Sequence, residues 1–198
     1  MVNDARRRGK NAKITGDVWE REWIHDFHEA TAIKLSRQLL ERREGNLGDI
    51  EIHERVPFVF QCRKRQQVST WKALEDADEI AAPIQNYPCG VLQVRTGSNG
   101  KPNPRAIAMY HDDFVDMVET FKADPDRSAP SVVFVRKYGT KYPRVWDGLA
   151  EAQNIVAQSM AGSVAVCQGF RNDQRTVVLI DYPGFLKIVG ELYERRLW

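Results

Sequence analysis

Residues 56–65, VPFVFQCRKR, are answered further along the chain by residues 129–138, APSVVFVRKY. Each is a run of β-branched and aromatic residues behind a proline, closing on cations. Each is followed by a helical pattern: WKALEDADEIAA from Trp71, and WDGLAEAQNIVA from Trp146. Trp71, Leu74, Ala77 and Ile80 recur as Trp146, Leu149, Ala152 and Ile155, at the spacing of one helix face. Two strand patterns and a helix then close each half. These are CGVLQVRTG, RAIAMY and the helix through Phe114, Val118 and Phe121, against SVAVCQGF, TVVLI and PGFLKIVGEL. Five elements kept in order and spacing point to an internal duplication. The alignment sets Pro57 against Pro130, Gln61 against Phe134, and Arg63 and Lys64 against Arg136 and Lys137.

The first half carries more than the second. Asp17 is placed to cap a helix whose apolar face is Trp19, Trp23 and Phe27. TAIKLSRQ alternates as a strand should, and DIEIHERVPFVFQCR reads as two strands about a turn at His53 to Arg55. Neither this helix nor the strand carrying Asp49 has a counterpart later on. The chain divides into a basic tail over 1–15, a first unit over 16–122, a linker over 123–130 and a repeat over 131–198. Strands alternating with helices predict an α/β fold, a mixed sheet flanked by helices.

Composition bounds the function classes. With 42% hydrophobic and 28% charged residues, the 198-residue chain can bury a core and stay in water. No apolar run approaches a membrane span. The N-terminal cations are not followed by an apolar segment, so no secretory signal is expected. Cys62, Cys89 and Cys167 are odd in number and widely spaced, which argues against a disulfide framework or a structural zinc site and for a reducing, cytoplasmic setting. The net charge of +2 is modest, but Arg6, Arg7, Arg8, Lys10 and Lys13 crowd one end. His25, His28, His53 and His111 lack a catalytic or metal-ligand spacing, and RTGSNGKPNP lacks the Gly-Lys-Ser/Thr end of a phosphate loop.

Three pieces of the first unit stand in a telling order: the helix with GDVWERE and Glu20, then GDIE with Asp49, then the strand ending FQCRK. This set resembles the PD-(D/E)xK nucleases, and among them the Holliday junction resolvases of phage and archaeal type. The likeness runs from Gly16 to about Phe121 and takes in Trp71 and Ala77. It implies a restriction-endonuclease-like sheet with a second, degenerate half-copy. It also implies Mg²⁺-dependent cleavage of branched DNA, and work as a homo-oligomer or within a larger protein assembly. By the resemblance, Glu20, Asp49, Gln61 and Arg63 hold the catalytic positions, with Asp49 and Gln61 in the places of the metal's oxygen donors; Glu51, two residues after Asp49 and so on the same strand face, offers a carboxylate in place of the missing one. Mg²⁺ takes hard oxygen ligands and activates water. Arg6, Arg7, Arg8, Lys64 and Arg65 are the cations expected on DNA. The chain departs from the family where Gln61 replaces a glutamate and Arg63 a lysine. A neutral carbonyl holds Mg²⁺ less firmly, and a guanidinium stays protonated and cannot act as a base. The same departures fit a nuclease fold that has lost catalysis and serves in assembly, for example in a phage virion.

Overall fold

The computed structural model describes residues 18–37, 50–52, 56–65, 70–94, 104–120, 129–138, 142–159, 162–170 and 175–195. Helix α1 covers residues 18–31 and buries Trp19, Trp23 and Phe27. It stops at Ala32, whose φ of 59° is the left-handed turn that usually falls to glycine. The Ala32 N–H still reaches back to the His28 carbonyl at 2.8 Å. The strand expected from Thr31 therefore starts later. It is β1, Leu35–Arg37, paired antiparallel with β2, Ile50–Ile52, in a small sheet of its own.

The main sheet takes β3 (Phe58–Arg65), β4 (Tyr87–Val94) and β5 (Arg105–Tyr110) from the first half. From the second it takes β6 (Val132–Tyr138), β7 (Val164–Phe170) and β8 (Val177–Asp181). The helices between are α2 (Thr70–Ala81), α3 (His111–Glu119), α4 (Tyr142–Ser159) and α5 (Tyr182–Glu194). The periodicity of α2 suggests a helix to Ile84. Its last turn, Ala82–Ile84, instead tightens to a 3₁₀ helix at Pro83 and ends on Gln85 at φ 55°.

Strand order is β3-β4-β5-β8-β7-β6. The outer pairs β3–β4 and β6–β7 are parallel, each joined by a helix, and the inner pairs are antiparallel. Each half thus runs strand, helix, strand, strand, helix, with the same pairing. The registers match as well. Phe58 pairs with Tyr87 as Val132 pairs with Val164, and Gly90 with Ala108 as Cys167 with Leu179. The Tyr87 N–H donates to the Pro57 carbonyl at 2.7 Å, as that of Val164 donates to Ser131 at 2.9 Å.

This register differs by one residue from the alignment of the sequences. Pro57 answers Ser131, not Pro130, Gln61 answers Val135, and Arg63 answers Lys137. A slip of one along a strand moves every side chain to the other face. Two prolines and two pairs of adjacent cations make the slipped alignment look better than the spatial one.

The halves meet at β5 and β8, and both contribute to both layers of the core. On one face, Trp23, Phe27, Phe58, Phe60, Ile107, Val166 and Phe185 form a single cluster under α1, α3 and α5. Phe185 of α5 lies 5.7 Å from Phe58 and 6.3 Å from Phe60, ring to ring, so the last helix of the second half covers the outermost strand of the first. On the other face, Ala73 and Leu74 of α2 share a cluster with Val145, Leu149 and Ala152 of α4. Among the described residues, no helix is long and apolar enough to cross a membrane.

Candidate functional site

Alternation along β3 decides what its polar residues meet. Phe58, Phe60 and Cys62 turn to the α1 face and enter its aromatic cluster. Gln61 and Arg63 turn the other way, towards α2. There the Arg63 guanidinium donates to Asp76 of α2 at 2.5 Å, and to the Cys62 carbonyl at 3.0 Å. Lys72, one turn before Asp76, closes on the same carboxylate at 2.7 Å. Burial alone would raise the Asp76 pKa, but the bonds from Lys72 and Arg63 outweigh it and hold the carboxyl below its ordinary value. Gln61, two residues before Arg63 on the same face of β3, is buried at 7% exposure.

The residues named from the sequence are therefore only partly gathered. Gln61 and Arg63 share a face, as period-two spacing requires. Glu20 is half-buried on α1, the helix packed against the opposite face. Asp49, Arg6, Arg7 and Arg8 lie outside the described residues. Glu51 is in β2, and Lys64 and Arg65 end β3, but their side chains also lie outside them. Among the described residues, no three His, Cys, Asp or Glu side chains are grouped to hold a metal. Asp76 itself suits Mg²⁺ poorly, because two cations already neutralise it, and Gln61 brings no charge.

Asp76 is the residue that reading the sequence missed. Helical phase puts it one turn from Lys72, but nothing local says that Arg63 will reach it. The second half holds the signal. Lys137, which answers Arg63 in register, pairs with Glu151 of α4 at 2.6 Å. Glu151 lies five residues after Trp146, as Asp76 lies five after Trp71. Both halves thus tie the end of the outer strand to the first helix by a cation–carboxylate pair.

Two further polar clusters frame the sheet. Lys64, Gln93 and Arg105 stand in register across β3, β4 and β5, and Gln93 and Arg105 share the α1 face by alternation with Val91 and Ile107. Arg105 pairs with Asp26 of α1, and its guanidinium lies 5.8 Å from the centre of the Tyr182 ring. The Tyr182 hydroxyl and the Gln93 side-chain oxygen are buried here and find no hydrogen-bond partner among the described residues. Burial, and then Asp26, push the Tyr182 hydroxyl pKa up. At the opposite end of the sheet, Arg175 of the second half donates to Asp78 at 3.0 Å and stacks 3.5 Å over Tyr110. Tyr110 donates to the same carboxylate at 3.2 Å. Burial, then Asp78, push its hydroxyl to about 12. This cluster clips the two halves together.

Comparison of the chain with family models, with curated proteins and with solved structures finds no match.

Proposed function

We propose that the chain is a DNA-binding protein on a nuclease-like unit, duplicated within one sheet, which holds branched DNA without cutting it by the metal-dependent route of the nucleases it resembles. The observation that carries this is the pair Arg63–Asp76 and its echo Lys137–Glu151. The second half has no acid before its strand-end cation, yet it builds the same pair. The pair then belongs to the scaffold, and the place of a catalytic lysine is filled by a residue with a structural task. The matched strand order and register of the halves support the duplication. The DNA reading rests on the ordered Glu20, Asp49 and Gln61-Cys62-Arg63 motifs and on the cations Arg6, Arg7, Arg8, Lys64 and Arg65. Phosphate contacts by such cations are independent of base sequence.

The test is cleavage of a synthetic four-way junction with Mg²⁺ or Mn²⁺. The wild-type chain should bind the junction and leave it intact. The double variant Gln61→Glu with Arg63→Lys restores the family's Glu-Cys-Lys and should acquire cleavage. Cleavage by the wild type that Asp49→Ala abolishes would establish the other reading, an active resolvase. Absence of DNA binding at low salt would leave the fold as an assembly module.

A further inference from the structure

Charge divides the described residues by element. Each of α1 to α5 carries more carboxylates than lysines and arginines: four against one on α1 and on α2, four against none on α3, and two against one on α4 and on α5. These helices cover both faces of the sheet, so both faces oppose phosphate. The strands of the main sheet carry the reverse, six cations against one carboxylate, Asp181, which caps α5. Five of the six close the two outer strands, at Arg63, Lys64 and Arg65 of β3 and at Arg136 and Lys137 of β6. The duplication relates those two ends. Ala108 and Leu179 are equivalent by register and are paired with each other, so a pseudo-two-fold axis passes between them, normal to the sheet. It sets the end of β3 and the end of β6 at diagonal corners. Five strand spacings and four residues of rise put these corners roughly 25–30 Å apart.

At each corner one cation is committed to the scaffold, Arg63 to Asp76 and Lys137 to Glu151. Arg136 is not. It is exposed, and it enters no ion pair or hydrogen bond with a described residue. What covers the strand explains this. Arg136 follows Val132 and Phe134 on the α1 face by alternation. Its equivalent in the first half is Cys62, which is 6% exposed within the core of that face. The second half has no described counterpart of α1, so the position stands open and holds a guanidinium. That group stays charged, and its planar fork fits phosphate oxygens. We propose that the β6 corner, through Arg136, is a second phosphate-backbone site, and that the chain holds two DNA backbones at once, one at the end of β3 and one at the end of β6. This rests on the DNA-binding reading above and gives the duplication its part in it. Two backbones at that separation repel each other little, because it exceeds the Debye length of about 10 Å at 0.1 M salt.

The experiment counts duplexes. Sedimentation of the full chain at low salt, with an excess of a short linear duplex, should give one chain with two duplexes. Arg136→Glu should give one chain with one. Anisotropy on a four-way junction then reads the contact itself. Arg136→Ala should make the slope of log K against log salt shallower by about one, a loss of roughly tenfold in affinity at 0.1 M salt. Arg136→Lys keeps the charge and should keep the slope. Arg21→Ala removes the same charge from an exposed position on acidic α1 and should leave the slope as it is. Arg136 and Arg21 are both exposed, so the circular dichroism spectrum should be unchanged in every variant. A wild type that binds DNA but takes up one duplex overturns this proposal alone. So does an Arg136→Glu variant that still takes up two, or an Arg136→Ala variant no different from Arg21→Ala. A wild type that binds no DNA overturns the proposal together with the DNA-binding reading.

Discussion

Two glycine-to-alanine substitutions in helices of the second half should have opposite signs. In an exposed helix the change stabilises by about 1 kcal/mol, through propensity alone. At Gly148 of α4, a Cβ would lie 2.3 Å from the Cys167 sulfur and 2.7 Å from Cγ of Lys137. Cys167 is fully buried in β7, so its sulfur has nowhere to go. Overpacking of this kind costs about 1–3 kcal/mol. Gly148→Ala should therefore destabilise by about 1–2 kcal/mol, lowering the melting temperature by roughly 2–8 °C for a chain of this size. At Gly190 of α5 the nearest atom to a new Cβ is the Ala30 carbonyl oxygen at 3.5 Å, an ordinary contact. Gly190→Ala should raise stability by about 1 kcal/mol. The first half supplies the control. There the helix carries Ala73 and the strand carries Gly90, the small residue having changed sides. Cys167→Gly with Gly148→Ala rebuilds that arrangement, so the double variant should be more stable than the sum of the single losses. Urea denaturation of the four proteins measures the coupling. A stabilising Gly148→Ala, or strictly additive losses, would refute the packing of α4 on β7.

Asp181 both caps α5, accepting from the Gly184 N–H at 3.1 Å, and takes the Ala165 N–H of β7 at 2.7 Å. Asp181→Ala should cost about 2–4 kcal/mol, one part for the cap and one for an amide left unpaired, as read by thermal melting. Burial foremost raises the pKa of Asp113, with the Arg175 cation opposing and Asp78, Asp112 and Asp116 adding. A carboxyl raised on folding lowers stability above its folded pKa and has no effect below its unfolded value. Asp113→Asn should therefore stabilise at neutral pH, with the gain fading as pH falls through the raised folded pKa and gone below the ordinary carboxyl value of about 4, which denaturation across pH 3–7 would show.

How far the sequence can be read depends on the range of the interaction. Helix α1 was legible because Trp19, Trp23 and Phe27 repeat within one helix. The alternation of strands and helices in each half was legible because it is a local strand–helix–strand pattern. The shared face of Gln61 and Arg63 followed from period two. What was not legible was long-range. The β5–β8 contact that fuses the halves joins Ile107 to Ile180, and no local pattern announces it. Which face Gln61 and Arg63 share depends on where α1 packs, and so Glu20 came to lie across the sheet from them. Asp76 was hidden because its partner comes from another element. The one-residue slip between the halves was hidden because strands with adjacent cations and prolines align almost equally well in either phase.

DNA binding itself is the most direct test of the account. Fluorescence anisotropy of a labelled four-way junction, titrated with the full chain without divalent metal at several salt concentrations, reads it without involving catalysis. The account predicts saturable binding at low salt, with log K falling linearly against log salt as phosphate contacts release counterions. It also predicts a shallower slope when Lys64 and Arg65 are replaced by alanine. Binding that is absent at low salt, or a slope that those two substitutions leave unchanged, would contradict it.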